Sequence, residues 1–315
     1  MIAIVIPYFQ RDTGVLRRAV ASVLAQRDCP EPLHLIVVDD SSPVPADPEL
    51  AGLDMGSVSL DVLRQPNGGP GAARNLGLER LPIGCRAVAF LDSDDEWSPD
   101  HLARAWLALE AGADTYFANH LQLGQTVGAF ERAGRLVLSQ HPALEGAPAL
   151  HQYRGEMFDQ ILRGNVIGTS TVVFRLAGFE SLRFRTDLAR AGEDYLFWMG
   201  LAMGGARFTF STQVEAIYGR GVNVYSGVEW ASDAFFTRVR NEISYRKATR
   251  QLYPLSAQQQ AHVRRCIRSL RGDFAHALLS RLRRGPQLPA GLLAAHWRED
   301  AIGLLTLPLA LLPVR

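Results

Sequence analysis

The sequence predicts an α/β fold, a mostly parallel Rossmann-like sheet flanked by helices, with a helical appendage at its C-terminal end. Three observations carry this reading. Short continuous apolar runs, the mark of strands buried on both faces, alternate with helix-period segments through the first third of the chain. The runs end in polar or acidic residues on the same side. Beyond Trp230 the chain turns helical and basic, with eleven Arg and one Lys against one Glu and one Asp between Arg238 and Arg284.

Ile2 to Ile6 is the first apolar run and stops at Pro7. A helix follows with Leu16, Ala19, Val20, Val23 and Leu24 on one face. Leu35 to Val38 is the second run, ending in Asp39-Asp-Ser-Ser-Pro43, and Val58 to Leu63 is the third. Asn67-Gly-Gly-Pro-Gly71 is a loop in which Pro70 opens a helix running through Leu76 and Leu78. Ala87 to Leu91 is the next strand. After it, Ser98 and Pro99 read as the cap and first residue of a helix carrying Leu102, Trp106 and Leu109. Strands and helices alternating at this spacing give a parallel sheet covered on both faces. Its carboxyl edge is where such sheets bind ligands.

Asp114 to Asn119 continues the pattern as a strand. Val127 to Gly155 has no clean period and reads as a loop or hairpin over that edge. Thr169 to Phe174 is β-like. Leu196, Met199 and Met203 mark a helix after Gly192, and Ala206 to Phe210 and Val214 to Tyr218 read as two strands. The composition shift divides the chain into a domain over residues 1–230 and a basic helical region over 231–315 with an apolar tail.

Composition excludes several classes. A net charge of +1 rules out nucleic-acid binding by bulk electrostatics. Cys29, Cys85 and Cys266 are far apart and form no C-x-x-C, which fits a reducing compartment better than a disulfide framework or zinc site. The eight His residues show no metal-ligand spacing, and Ser41, Ser42 and Ser170 lack a nucleophile-elbow context. Ile2 to Ile6 is too short for a signal-peptide core. Ala301 to Val314, broken by Pro308, falls short of the roughly 18 apolar residues of a spanning helix. A cytoplasmic protein is expected. The basic segment and the Leu-rich tail leave two readings for the C-terminal region: attachment to the cytoplasmic membrane surface, or packing of the tail on the protein.

Four stretches carry chemistry. Asp92, Asp94, Asp95 and Glu96 crowd one strand end, where mutual repulsion costs stability that a divalent cation would relieve. Carboxylates suit Mn²⁺ or Mg²⁺, which prefer hard oxygen ligands. The bland reading is a solvated acidic turn. Asn67-Gly-Gly-Pro-Gly-Ala-Ala-Arg-Asn75 offers Asn67, Gly68 and the following glycines for close approach to an anion at a helix N-terminus, with Arg74 one turn in. The alternative is an ordinary βα turn with Arg74 in a surface ion pair. Asp39-Asp40 could bond a base or ribose, or cap the turn that follows. Glu193-Asp194 could complement a helix dipole, or supply a general base.

Together, Ile4-Val-Ile-Pro-Tyr8, Val37-Val-Asp-Asp-Ser-Ser42, Asn67-Gly-Gly-Pro-Gly-Ala-Ala-Arg-Asn-Leu-Gly77, Phe90-Leu-Asp-Ser-Asp-Asp95 and Gly192-Glu-Asp194 resemble a family 2 glycosyltransferase with the GT-A fold. The motifs stand in the family's order over residues 2 to about 220. The resemblance implies inverting, metal-dependent transfer of a sugar from a UDP-sugar donor to a saccharide or lipid-linked saccharide, in bacterial polysaccharide or glycoconjugate assembly. It implies nucleotide-sugar binding over residues 1–112 and an acceptor side over 113–230. By position, Pro7 and Tyr8 would line the base pocket, Asp39 would bond uracil and Arg74 would lie near the diphosphate. Asp92-Ser93-Asp94 would be the D-x-D, with Asp94 near the ribose and Asp94 or Asp95 on the metal. Asp194 would be the base, with Glu193 as the substitute. No Q-x-x-R-W follows Asp194, so a single addition is expected. Tyr218-Gly-Arg-Gly-Val-Asn223 stands where many relatives carry Y-R-x-H, leaving Arg220 or Asn223 to take the histidine's place. The competing readings are a catalytically silent nucleotide-binding scaffold and a sugar-nucleotide transferase.

Overall fold

A computed structural model describes residues 1–188, 192–221, 228–285, 288 and 291–305. Asn223 and the tail beyond Leu305 lie outside them. The chain divides into two compact units, one of Met1–Ala189 with Phe197–Val222, the other of Arg190–Leu196 with Asn223–Arg315.

Among the described residues the first unit has ten strands: β1 (Ile2–Tyr8), β2 (Leu33–Asp39), β3 (Ser59–Arg64), β4 (Ala87–Phe90), β5 (Glu96–Trp97), β6 (Thr115–Leu121), β7 (Ala143–Leu144), β8 (Ala147–Gln152), β9 (Val173–Arg175) and β10 (Phe208–Ile217). They form one sheet in the order β3-β2-β1-β4-β9-β6-β10-β8-β7, with β5 on the end of β10. The block β3-β2-β1-β4 is parallel, as the continuous apolar runs require, and every residue of β1 and β4 is buried. The helices are α1 (Val15–Leu24), α2 (Ala46–Leu50), α3 (Pro70–Glu79), α4 (His101–Glu110), α5 (Ala129–Ala133), α6 (Met157–Arg163) and the later part of α7 (Glu193–Met203). α3 lies hard against β1. A Cβ on Gly77 would come within 2.5 Å of Val5 Cγ1, so only glycine allows that approach.

The structure corrects three expectations and fills in a fourth. Thr169–Thr171 is a turn of 3₁₀ helix, and the strand after it, β9, runs antiparallel between β4 and β6. Residues 206–218 hold one strand, β10 (Phe208–Ile217), rather than two, because two register shifts against β6 absorb the irregularity at Ser211–Ala216 without ending the pairing. α4 begins at His101 rather than Pro99: Ser98 Oγ makes no capping hydrogen bond among the described residues, Ser98 is held to β10 through its N–H on Glu215 O, and Asp100 is the residue that precedes the helix. The irregular stretch 127–155 contributes α5 and the β7–β8 hairpin, whose second strand pairs with β10.

The second unit holds the first turn of α7 with α8 (Asp233–Leu252), α9 (Ala257–Arg284) and α10 (Leu292–Leu305). Ser232 caps α8, and Ser256 with Gln259 closes a capping box on α9. The core joins Phe235, Phe236, Val239 and Ile243 to Phe274, Leu278 and Leu292. α10 is fastened from within. His296 stacks on Phe274 at 3.7 Å, and the buried Asp300 accepts from Arg271 at 2.6 and 2.7 Å and pairs with Lys247 at 2.8 Å.

Candidate active site

The carboxyl edge of the parallel strands carries the acidic turn. Leu91 N–H continues the ladder onto Val5 O, and Asp95 N–H closes the turn on Asp92 O. Trp97 in β5 then returns the chain to the sheet by pairing with Ala216. The turn is therefore held in the sheet at both ends.

Its acidic groups are bound by residues distant in sequence. Ser170 Oγ donates to Asp95 Oδ2 at 2.5 Å and accepts from Asp92 N–H at 3.0 Å, while Trp97 Nε1 donates to Ser170 O. Gly219 N–H donates to Asp95 Oδ1 at 3.0 Å. A Cβ on Gly219 would run into the Asp94 carbonyl, and one on Gly221 into the Asp94 carboxylate, so the glycines let the end of β10 close over the turn. Gln10 Nε2 donates to Ser93 Oγ at 3.0 Å, joining the turn to the end of β1.

Burial, then the charge of Asp92, raises the Asp94 carboxyl to about 6. The same causes, with Asp94 added, push Asp95 well above the ordinary carboxylate range. A nearby cation would favour the charged forms of both. Among the described residues, no group of three or more His, Cys, Asp or Glu is arranged to hold a metal ion. A turn offering one or two hard carboxylates fits Mg²⁺ or Mn²⁺ in another way, since Mg²⁺ commonly takes its remaining ligands from water and substrate phosphates. On that test the residues fit the group.

Arg74 comes from α3 and faces this turn. Its guanidinium donates to Asp92 Oδ1 at 2.5 Å and lies 5.3 Å from the Phe184 ring centroid. The side chain is buried, so this is no surface ion pair. The loop before α3 is organised by Asp40, which accepts from Gly68 N–H and Gly69 N–H at 2.8 Å each and, through its carbonyl, from the Asn67 amide at 3.0 Å. Asp39 accepts from Ser42 N–H at 2.7 Å and Ala46 N–H at 3.0 Å, capping its own turn. Pro7 and Tyr8 are buried at the end of β1, and burial pushes the Tyr8 hydroxyl up to about 12. Pro7, Tyr8, Asp39, Asn67, Gly68, Arg74, Asp92, Asp94 and Asp95 all belong to the first unit.

Glu193 and Asp194 open α7 and belong to the second unit. Gly192 supplies the entry, with φ at +91° and no room for a Cβ, which would meet Tyr245 Cβ at 2.7 Å. Glu193 is buried. Asp194 Oδ1 accepts from Tyr195 N–H at 2.9 Å. Burial is the main cause raising the carboxyl of Glu242 on α8. Arg246 and Arg238 oppose the shift, and the Asp194 charge adds to it. Arg220 is exposed.

Ser170, Gly219 and Trp97 were not singled out for this site from sequence. Their roles rest on contacts spanning 73 to 124 residues, for which no local pattern exists.

The glycosyl transferase family 2 sequence model matches residues 3–176. The succinoglycan biosynthesis protein ExoW of Rhizobium meliloti is 36% identical over 251 residues, covering 76% of this chain and 75% of that protein. The minor teichoic acid biosynthesis protein GgaA of Bacillus subtilis is 27% identical over 255 residues, 77% of this chain and 52% of that one. Among solved structures, S. aureus TarS 1–349 in complex with UDP-GlcNAc superposes with a TM-score of 0.54 at 16% identity, covering 88% of this chain and 81% of that one. The mannosyltransferase PcManGT of Pyrobaculum calidifontis, in complex with GDP-Man and Mn²⁺, gives 0.56 at 17% identity, covering 96% and 80%. These structural likenesses establish the GT-A fold. The matched motifs and the ExoW identity establish more: the chain belongs to glycosyl transferase family 2.

Proposed function

We propose that this glycosyltransferase moves a single sugar from a UDP-sugar to an acceptor hydroxyl, with inversion, during assembly of a bacterial polysaccharide or glycoconjugate. The observation that carries the reading is the buried acidic turn with Arg74 against it, in a chain of this family. The names of ExoW and GgaA support polysaccharide assembly, and the TarS complex supports a UDP-sugar. The acceptor is a saccharide or lipid-linked saccharide at the cytoplasmic face of the membrane.

Pro7 and Tyr8 border the base, Asp39 bonds the uracil, Asn67 and Gly68 shape the loop beside the nucleotide, and Asp92 and Asp94 hold the ribose side. Arg74 offers its planar fork to the diphosphate oxygens. A Mn²⁺ or Mg²⁺ ion held by Asp94 and Asp95 would neutralise charge on the departing diphosphate. Asp194 accepts the proton of the acceptor hydroxyl. The acceptor's oxygen, freed of that proton, bonds to the anomeric carbon from the face opposite the donor's phosphate oxygen, and the bond between the anomeric carbon and that phosphate oxygen breaks to release UDP.

The test is calorimetric titration of UDP with Mn²⁺, with Mg²⁺ and with chelator, alongside UDP release from a panel of UDP-sugars. Metal-dependent affinity with release from at least one donor is expected. Affinity indifferent to chelator removes the metal from the reading. Preference for GDP moves the donor class, and tight nucleotide binding without turnover makes the protein a binding module.

A further inference from the structure

Charge is unevenly distributed along the chain. Residues 1–222 hold nineteen Arg and Lys against twenty-six Asp and Glu, whereas residues 223–315 hold fourteen against six. A near-neutral protein thus carries a strongly basic C-terminal part; the whole second unit, with Arg190–Leu196 included, holds fifteen Arg and Lys against eight Asp and Glu. On α9, Arg264, Arg265, Arg268 and Arg283 are exposed, and none has an acidic partner among the described residues. Arg298 on α10 is likewise exposed.

α10 has two unlike faces. Leu292, His296, Asp300 and Gly303 are buried, fixed by the Phe274 stack and the Arg271 and Lys247 pairs. Leu293, Trp297, Ile302 and Leu305 are 44%, 51%, 59% and 71% exposed. Leu282, beside Arg283 on α9, is exposed as well. A kink at Asp300 (φ −149°, ψ 64°) divides α10, with Leu293 and Trp297 before it and Ile302 and Leu305 after it; each part is anchored through buried residues and leaves large apolar side chains exposed.

We propose that the outer face of α10, with the exposed arginines of α9, docks on an anionic lipid bilayer. Apolar side chains that enter the headgroup boundary, combined with cations that meet anionic lipid, are the pairing that gives stable surface attachment. Trp297 is of the residue type that favours that boundary. A nucleic acid would account for the arginines but leave the apolar face unexplained. A second copy of the chain would set one basic unit against another. No helix among the described residues is long and apolar enough to cross a membrane, so the contact is with the surface. The inference does not depend on the donor or the metal, and its test reads binding without turnover.

The full chain is sedimented with phosphatidylcholine vesicles, and with vesicles also containing phosphatidylglycerol, at low and high salt. Wild type, Trp297→Glu and the double variant Arg265→Glu/Arg268→Glu are compared, each checked for unchanged thermal unfolding and UDP binding. Wild type is expected to sediment with phosphatidylglycerol vesicles at low salt. The double reversal should weaken this about tenfold or more, and Trp297→Glu should abolish the part that survives high salt. Wild type remaining in the supernatant at low salt overturns the proposal, as does sedimentation that neither variant changes. Binding of an RNA oligomer without vesicle binding would assign the arginines to nucleic acid and equally overturn it.

Discussion

Replacing Ser170 with Ala removes the hydroxyl that joins the two ends of the acidic turn. The side chain is fully buried and makes a 2.5 Å hydrogen bond to Asp95 and a 3.0 Å hydrogen bond from Asp92 N–H. At a pH where Asp95 is ionised, a hydrogen bond to it contributes about 1.5–3 kcal/mol, and a buried donor left unpaired costs about 1–3 kcal/mol. The second figure counts only in part, because Asp92 is half-exposed and water can reach its neighbourhood. A loss of about 2–4 kcal/mol follows. In a unit of this size each kcal/mol moves Tm by about 2–4 °C, so Ser170→Ala should melt roughly 5–15 °C lower. Among the described residues Asp95 would keep Gly219 N–H alone and lose its fixed orientation, so metal-dependent UDP binding should weaken with the melting temperature. Differential scanning calorimetry and UDP titration read the two effects on one preparation. A variant that melts within a degree of wild type, or binds UDP unchanged, refutes the clamp.

Two further outcomes are expected. Asp194→Asn keeps size and hydrogen bonding but cannot take a proton, so turnover should fall by roughly 10²-fold or more with UDP affinity retained. Near-normal turnover would shift the base to Glu193. In acid, burial holds His296 at about 4 against its ordinary 6.5, so the unfolded chain takes the proton first and the folded state loses stability as pH falls from 6.5 to 4. The loss is at most about 3 kcal/mol. His296→Phe, which retains a ring against Phe274, should flatten the fall of Tm across that window. An unchanged slope in the variant would exonerate His296.

The parallel half of the sheet was legible because burial on both faces writes itself into consecutive apolar residues, as in Ile2–Ile6 and Ala87–Leu91. The entry to α7 was legible for a similar local reason, since Gly192 and the acidic pair mark a helix start. β9 was legible only in part: Val173 and Phe174 fell within the β-like stretch, but three residues after a 3₁₀ turn carry no period that would fix the strand's start or its antiparallel pairing. The start of α4 was misread because Ser98 has the chemistry of a cap, yet its hydroxyl caps nothing among the described residues while its N–H ties it to Glu215 O. Sequence placed Asp39, Asp40 and Asp92–Asp95 at the ends of the right strands. It did not show that Asp40 organises the glycine loop or that Ser170 holds Asp95, since those partners are chosen by the sheet's topology.

The position of β9 also sets an order of assembly. β3, β2, β1 and β4 pair among themselves within the first ninety residues, so their mutual pairing uses no strand from later in the chain. The acidic turn does: Ser170 follows Asp92 by 78 residues, and Gly219 follows Asp95 by 124. At about 5–20 residues per second, a ribosome spends several seconds to some tens of seconds between making the carboxylates and making the groups that hold them. During that interval the nascent chain carries the acidic motif without its clamp, and the open edge of β4 awaits a strand that closes a long loop. The step that completes the sheet therefore also completes the site.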